Sequence, residues 1–404
     1  MSLSPMDMNS APAVSGEPRP ATENRLLSLL EFGQSLWLDD LRRSLFTSGE
    51  FSRLIAEDGL RGVTSNPSIF ERAFAGDADY RTFLRDVEQT DRMDSVRAYE
   101  LLAVRDVRDA ADLLRPVYDL TDRADGYASL EVSPYVAFDS QTTIAEARRL
   151  WHAIGRDNVM IKVPASRAGL PAVRQLTSEG INVNITLLFG VDRYEEVARA
   201  YMDGLSSFIA NGGDPTRVSS VASFFVSRID TLVDDMVTRR VEQADDASER
   251  ERLTSLLGRV AIANAKLAYQ RYLALCRTPE WHTLAAKRAH PQRLLWASTS
   301  TKNARYRDVR YVEELIGRET VTTVTPKTID GFRDHGRPRP SLEEGLDDAS
   351  RVLDTLDRVG ISLLDVTDKL LTDGVALFCT AFDSVLASTQ RMIDRRRVEA
   401  SSTV

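Results

Sequence analysis

The chain has 404 residues, 43% hydrophobic and 28% charged, with a formal net charge of -8. This is a globular balance with ample length for a large core. The acidic charge argues against general affinity for nucleic acid or anionic membrane, but not against anionic substrates, because a phosphate site needs only a few local donors.

Residues 1–24 are rich in Ser, Pro, Ala and Met and lack a long apolar run, so they read as a disordered tail rather than a signal peptide. Short β-branched or apolar runs then alternate with longer amphipathic segments. Eight candidate strands follow in order: 35–39, 61–66, 128–133, 158–164, 181–187, 219–225, 293–299 and 320–326. Helical patterns fill the gaps, for example at 95–116, 141–154, 191–210 and 307–316. Repeated β-α units with eight strands predict an α/β protein, a single (β/α)8 TIM barrel.

Two stretches exceed a minimal barrel. Residues 228–290 read as a helical excursion between the sixth and seventh strands, and 341–397 as two or three helices packed outside the barrel or over its mouth. With no Pro/Gly/Ser-rich linker between 25 and 390, residues 25–397 are expected to form one domain, followed by a tail at 398–404. No stretch is expected to reach membrane-spanning length. Cys276 and Cys379 lie in apolar helix-like runs and read as reduced core thiols of a cytosolic protein. His152, His282, His290 and His335 show no HxH or HExxH spacing, so a metal-dependent mechanism has little footing.

Nearly every expected strand ends in a polar or charged residue: Asp39, Asn66, Glu131, Lys162, Asn184 with Thr186, Ser223 and Ser298. Barrel strands are buried on both faces, so charges there are costly unless they serve a site. The C-terminal mouth is where such groups converge in this fold.

Lys162 stands out among them. The chain has only six lysines, at 162, 266, 287, 302, 327 and 369, so positive charge is otherwise supplied by arginine. A lysine inside NVMIKVP suggests chemistry closed to a guanidinium, namely nucleophilic attack by a neutral amine. A lone strand-end lysine also reads as one reaching solvent along its alkyl stem, and the neighbouring carboxylates tip the balance. Schiff-base aldol chemistry needs one amine and acid/base groups for dehydration and C–C cleavage, which Glu131 and Asp39 supply. Glu131 also reads as a plain ion-pair partner of Lys162. Asp39 also reads as a helix cap, with Asp40 as a competitor for its role.

Taken together, TSNPSIF (64–70), LEVSP (130–134), MIKVPAS (160–166), INVNITLLF (181–189), SFFVSR (223–228) and LWASTSTKN (295–303) resemble the transaldolases, in particular the longer bacterial type of actinobacteria and cyanobacteria. The resemblance covers about residues 30–390 and keeps the motif order. It implies Lys162 as the Schiff-base lysine. Glu131 would be the acid/base group acting through a water that Thr186 orients, and Asp39 the group taking the C4 hydroxyl proton. It implies that Asn66 and Asn184 hold the dihydroxyacetone hydroxyls, that Ser223 and Arg228 bind phosphate, and that Phe225 closes the apolar side. Two departures stand out. Ser298 and Lys302 occupy the region where many members place a second arginine, and Phe224 and Ser227 replace the Pro and Gly of SPFVGR.

The implied activity moves a dihydroxyacetone unit from sedoheptulose 7-phosphate or fructose 6-phosphate to glyceraldehyde 3-phosphate or erythrose 4-phosphate, within the non-oxidative pentose phosphate pathway. It uses no cofactor or metal and has sugar phosphates as its partners, with no nucleic acid or membrane. The assembly is expected to be a monomer or homodimer. The scaffold also admits a fructose-6-phosphate aldolase-like lyase, or a barrel that binds sugar phosphates without turnover. Chain length and SFFVSR lean against the first, and the amine–carboxylate set against the second.

Overall fold

A computed structural model describes residues 24–76, 78–86 and 93–401. Of the expected N-terminal tail only Asn24 is among them, and its amide donates to Glu57 O and Asp58 Oδ1, both at 2.8 Å. The eight strands are β1 (Gln34–Leu38), β2 (Leu60–Thr64), β3 (Tyr127–Glu131), β4 (Val159–Pro164), β5 (Val183–Leu188), β6 (Ser220–Phe225), β7 (Arg293–Ala297) and β8 (Thr320–Val324). They form a closed parallel barrel in sequence order, and β8 pairs with β1 from Gln34↔Thr320 to Leu38↔Val324. This confirms the (β/α)8 barrel.

Burial explains the sequence pattern. The strands β4, β5 and β6 are buried at every position, because helices cover the outer face and side chains fill the inner one. They therefore read as continuous runs, and alternation survives only in which face each residue takes. At the mouth, Ser223 and Phe225, Leu295 and Ala297, and Thr323 and Thr325 line one cavity at a spacing of two.

The opposite end is closed by a polar plug centred on Asp125. Its carboxylate accepts from Ser35 Oγ at 2.6 Å and Trp37 Nε1 at 3.1 Å, and pairs with Arg293 Nη2 at 3.0 Å. Arg293 also donates to Ala124 O at 2.6 Å, so the charge is both paired and hydrogen-bonded. A glycine at 62 makes space for this plug, since a Cβ there would sit 2.4 Å from the Trp37 indole.

Helices begin where the sequence supplies caps. Asp94 accepts from Arg97 N ahead of Ser95–Leu120, Asp139 accepts from Gln141 N and Thr142 N ahead of Ser140–Ile154, and Thr325 precedes Pro326–His335. The excursion between β6 and β7 comprises Ser227–Gln243, Ala247–Thr254, Val260–Leu275 and Pro279–Ala285. Two carboxylates of its first helix bind it together. Asp230 accepts from Ala261 N at 2.8 Å and Tyr311 OH at 2.9 Å, while Asp234 accepts from Gly258 N at 2.8 Å and Tyr306 OH at 2.6 Å.

Several expectations need correction. The helix expected at 307–316 is confined to Arg310–Glu313. The C-terminal region forms two helices, as the sequence allowed, Leu346–Arg358 and Leu363–Ser401, but the second runs past the expected boundary at 397. That helix also contains a window with mean hydropathy 1.5, long and apolar enough to cross a membrane, contrary to the expectation that none exists. Its apolar side chains have a packing role: Val366, Leu370, Phe378, Phe382 and Val385 are buried against the barrel. Cys276 and Cys379 are free but only half-buried, so neither is a full core thiol.

Burial raises the Asp230 carboxyl to about 6, against the stabilising bonds from Ala261 and Tyr311. A raised folded-state value means that stability is fully present below the ordinary carboxylate range and declines as pH climbs through 6. In Asp230→Asn this decline is absent. Urea unfolding at pH 4 and pH 8 should therefore show the variant gaining on the wild type by on the order of 2 kcal/mol across that interval. Parallel pH profiles would refute the assignment.

Candidate active site

Neighbouring strands place the central groups in register. Glu131 on β3 pairs with Lys162 on β4, and Lys162 pairs with Asn184 on β5. Lys162 is 4% exposed, and its Nζ donates to Ser65 O at 3.0 Å and lies 3.4 Å from Glu131 Oε2. At that distance the two form an ion pair, while neither Glu131 oxygen has a hydrogen-bond partner among the described residues. Burial pushes the Glu131 carboxyl up and Asp39 adds to the rise, whereas Lys162 and Arg228 oppose it. Glu131 is thus a carboxyl whose proton is held more tightly than usual, beside an amine.

A cavity of about 190 Å3 opens over Lys162 at the C-terminal ends of the strands. Nearly all of the residues expected at the site line it: Lys162, Asp39, Thr186, Asn66, Ser223, Phe225, Arg228, Ser298 and Lys302. Glu131 and Asn184 do not. Asn184 lies beneath its floor, donating to Ser129 Oγ at 3.2 Å and accepting from Ser223 Oγ at 2.7 Å. Glu131 reaches Lys162 from the side and lines a separate cavity. Asn66 and Ser298 lie beyond their strands rather than at strand ends. Asn66 Oδ1 accepts from Ile69 N at 3.0 Å as β2 gives way to the helix Pro67–Gly76. Ser298 has φ +56° and its hydroxyl meets Ser227 Oγ at 3.0 Å.

Asp39 accepts from Thr64 Oγ1 at 3.0 Å, which aims its carboxylate across the mouth. Its neighbour Asp40 is held by Arg42 Nε at 3.1 Å and is absent from the cavity wall. Arg228 is not paired with Asp230, whose bonds go to Ala261 and Tyr311. Its guanidinium instead lies 5.3 Å from the Phe225 ring centroid and 5.9 Å from that of Phe378. Burial weakens its hold on the proton, and Asp39 and Glu131 partly restore it. Lys302 donates to Ser300 Oγ at 3.0 Å. Partial burial and then Arg228 lower its ammonium, and Asp39 opposes them.

The structure adds wall residues that sequence reasoning did not single out: Thr64, Ser68, Arg72, Ser300, Thr323, Thr325 and Phe378. Thr64 and Ser68 were visible inside TSNPSIF, and Arg72 follows one helical turn after Ser68. Phe378 gave no signal, since it comes from the C-terminal helix. Its approach needs Gly374, where a Cβ would meet Leu187 at 2.8 Å.

The transaldolase/fructose-6-phosphate aldolase family profile matches residues 36–389. A protein from Trichodesmium erythraeum named transaldolase is 44% identical over 376 residues, covering 92% of this chain and 98% of that protein. Its namesakes from Thiobacillus denitrificans and Acidothermus cellulolyticus are 46% and 44% identical, covering 88% and 93% of this chain and 96% and 98% of theirs. The chain belongs to the transaldolase/fructose-6-phosphate aldolase family. The match runs from within β1 through β8 and most of the C-terminal helix that brings Phe378 to the mouth, so it includes every residue of the cavity wall.

Breaking a buried ion pair from one side leaves an uncompensated charge, whereas replacing both partners by apolar groups removes the problem. Glu131→Leu should therefore destabilise the fold by roughly 3–5 kcal/mol in urea titration, and Glu131→Leu with Lys162→Met should recover most of it. Equal losses in both would mean that the pair carries no electrostatic coupling.

Proposed function

We propose that this chain carries out the transaldolase reaction through a Schiff base on Lys162, moving a dihydroxyacetone unit between sugar phosphates. The observation that carries this reading is a buried lysine paired with a carboxyl in the wall of a mouth cavity that also holds Asp39 and Arg228. Neutral Lys162 attacks C2 of a ketose phosphate. Glu131 moves the protons of carbinolamine dehydration through a water that Thr186 orients, and the resulting iminium accepts the electrons released on cleavage. Asp39, aimed by Thr64, takes the C4 hydroxyl proton as the C3–C4 bond breaks. The enamine left on Lys162 adds to an incoming aldehyde, and hydrolysis frees the new ketose.

Asn66 suits the hydroxyls of the three-carbon unit, and Asn184 supports Ser223 from beneath the floor, while Ser223, Arg228, Ser298 and Lys302 suit the distal phosphate. The same family includes a lyase, but the relatives that match end to end bear the transferase name. The partners are sugar phosphates, and the setting is a cytosolic, cofactor-independent pentose phosphate pathway step. The barrel and its C-terminal helices act as one domain.

Lys162→Arg should keep the circular dichroism spectrum and abolish activity, since a guanidinium forms no imine. Borohydride with fructose 6-phosphate should trap substrate on the wild type and on Asp39→Asn, but only slowly on Glu131→Gln. Turnover by the arginine variant, or equal trapping in both carboxylate variants, would overturn the assignment.

Arg228→Ala should lower kcat/KM for fructose 6-phosphate by roughly 2–4 kcal/mol of transition-state binding and leave unphosphorylated fructose nearly unaffected. Lys302→Ala should show the same selectivity, more weakly. An equal loss on both sugars would make Arg228 a fold residue.

A further inference from the structure

Arg228 is a charged side chain whose place nothing polar explains. It is the second residue of the helix Ser227–Gln243 and is half-buried, yet its guanidinium makes no hydrogen bond or ion pair among the described residues. A long side chain of that kind has many rotamers, and ordering it only when ligand arrives costs affinity. Two rings do the ordering instead. The guanidinium carbon lies over Phe225 at 5.3 Å and over Phe378 at 5.9 Å from the ring centroids, both within cation–π reach. Phe225 comes from β6, three residues before Arg228, whereas Phe378 is a buried residue of the C-terminal helix.

That helix is fitted to the spot along one face. Thr367, Gly374 and Phe378 follow one another at spacings of seven and four, which helical geometry stacks on a single side. A Cβ on Gly190, just past β5, would come within 3.4 Å of Thr367 Oγ1. A Cβ at Gly374 would meet Leu187 Cδ2 at 2.8 Å and lie 3.6 Å from Arg228 Nη1. Leu187 is itself buried at φ +54°, where β5 slips register against β6. The helix therefore packs on the kink of β5, and it reaches Arg228 with bare backbone at 374 and a ring at 378.

We propose that Phe378 is a positioning residue for phosphate selectivity: the C-terminal helix holds the Arg228 guanidinium over two ring faces and leaves its N–H groups unspent for the substrate. The proposal rests on the reading of Arg228 as a phosphate ligand. A ring face attracts the cation without accepting from its N–H edge, so the donor fork that matches a phosphate stays available. A carboxylate in the same place would order the side chain too, but it would compete for that edge. Asp39 and Glu131 act on the Arg228 charge without bonding to it.

The test reads one ratio in the full chain, kcat/KM for fructose 6-phosphate over kcat/KM for fructose. Both sugars report on the same folded fraction, so a loss of stability alone leaves the ratio unmoved. Phe378→Leu keeps apolar bulk and removes the ring face, and it should lower the ratio roughly tenfold, the span of one partly desolvated cation–π contact. Phe378→Tyr keeps the face and should restore the ratio to within about twofold of wild type. In an Arg228→Ala background, Phe378→Leu should change the ratio by less than about twofold, because a residue that acts through Arg228 has nothing left to act on. An unmoved ratio in Phe378→Leu, no restoration by tyrosine, or a further tenfold fall in the double variant overturns the positioning role alone. An equal loss on both sugars in Arg228→Ala overturns the phosphate reading and the positioning role with it.

Discussion

A lysine and a glutamate side by side, both withdrawn from water, set the terms for this barrel. Removing two such ions from solvent is costly, and their attraction compensates only if the geometry is held. Here the holding is done by hydrogen-bonded strand register, since Glu131 and Lys162 are paired positions on β3 and β4. The Ser65 carbonyl fixes the ammonium from a third strand end. No loop could impose that separation as firmly, which is why a site for amine chemistry belongs on the strands themselves.

Around this pair the mouth is rich in charge of both signs. Asp39, Arg72, Arg228 and Lys302 share the cavity wall with Lys162, and Asp39 acts on both Arg228 and Lys302. A sugar phosphate brings hydroxyls, a carbonyl and a dianion to such a wall. The net charge of -8 says nothing of this arrangement, because it averages over a surface that the substrate never meets.

The barrel was legible because buried parallel strands leave continuous apolar runs, and each was placed within about two residues. Lys162 was legible through its rarity among arginines and its position inside such a run. What escaped had no local sequence signal. Phe378 reaches the mouth from a helix more than 200 residues beyond Lys162. Leu187 adopts φ +54° in a β5 that slips register against β6 between Ile185 and Leu188, a kink that no composition rule marks. Strand-end reasoning put Glu131 and Asn184 in the same cavity as the rest. In the structure Glu131 pairs with Lys162 and borders a neighbouring cavity, and Asn184 lies under the floor. The apolar window in Leu363–Ser401 was missed as a window because charges interrupt the helix at intervals, and three-dimensional packing shows which face they leave free.

The plug around Asp125 has a kinetic consequence. With Ser35, Trp37 and Arg293 sealing the base, the tube is a cul-de-sac for anything the size of a sugar. In the transfer reaction proposed above, donor and acceptor then enter by the same mouth cavity over Lys162 from which the products leave. The first aldose departs by the way the second arrives, and in that interval the three-carbon fragment stays because the proposed imine holds it. Alternation of the two aldehydes at one mouth thus traces back to the blind end of the barrel, at the pole farthest from the chemistry.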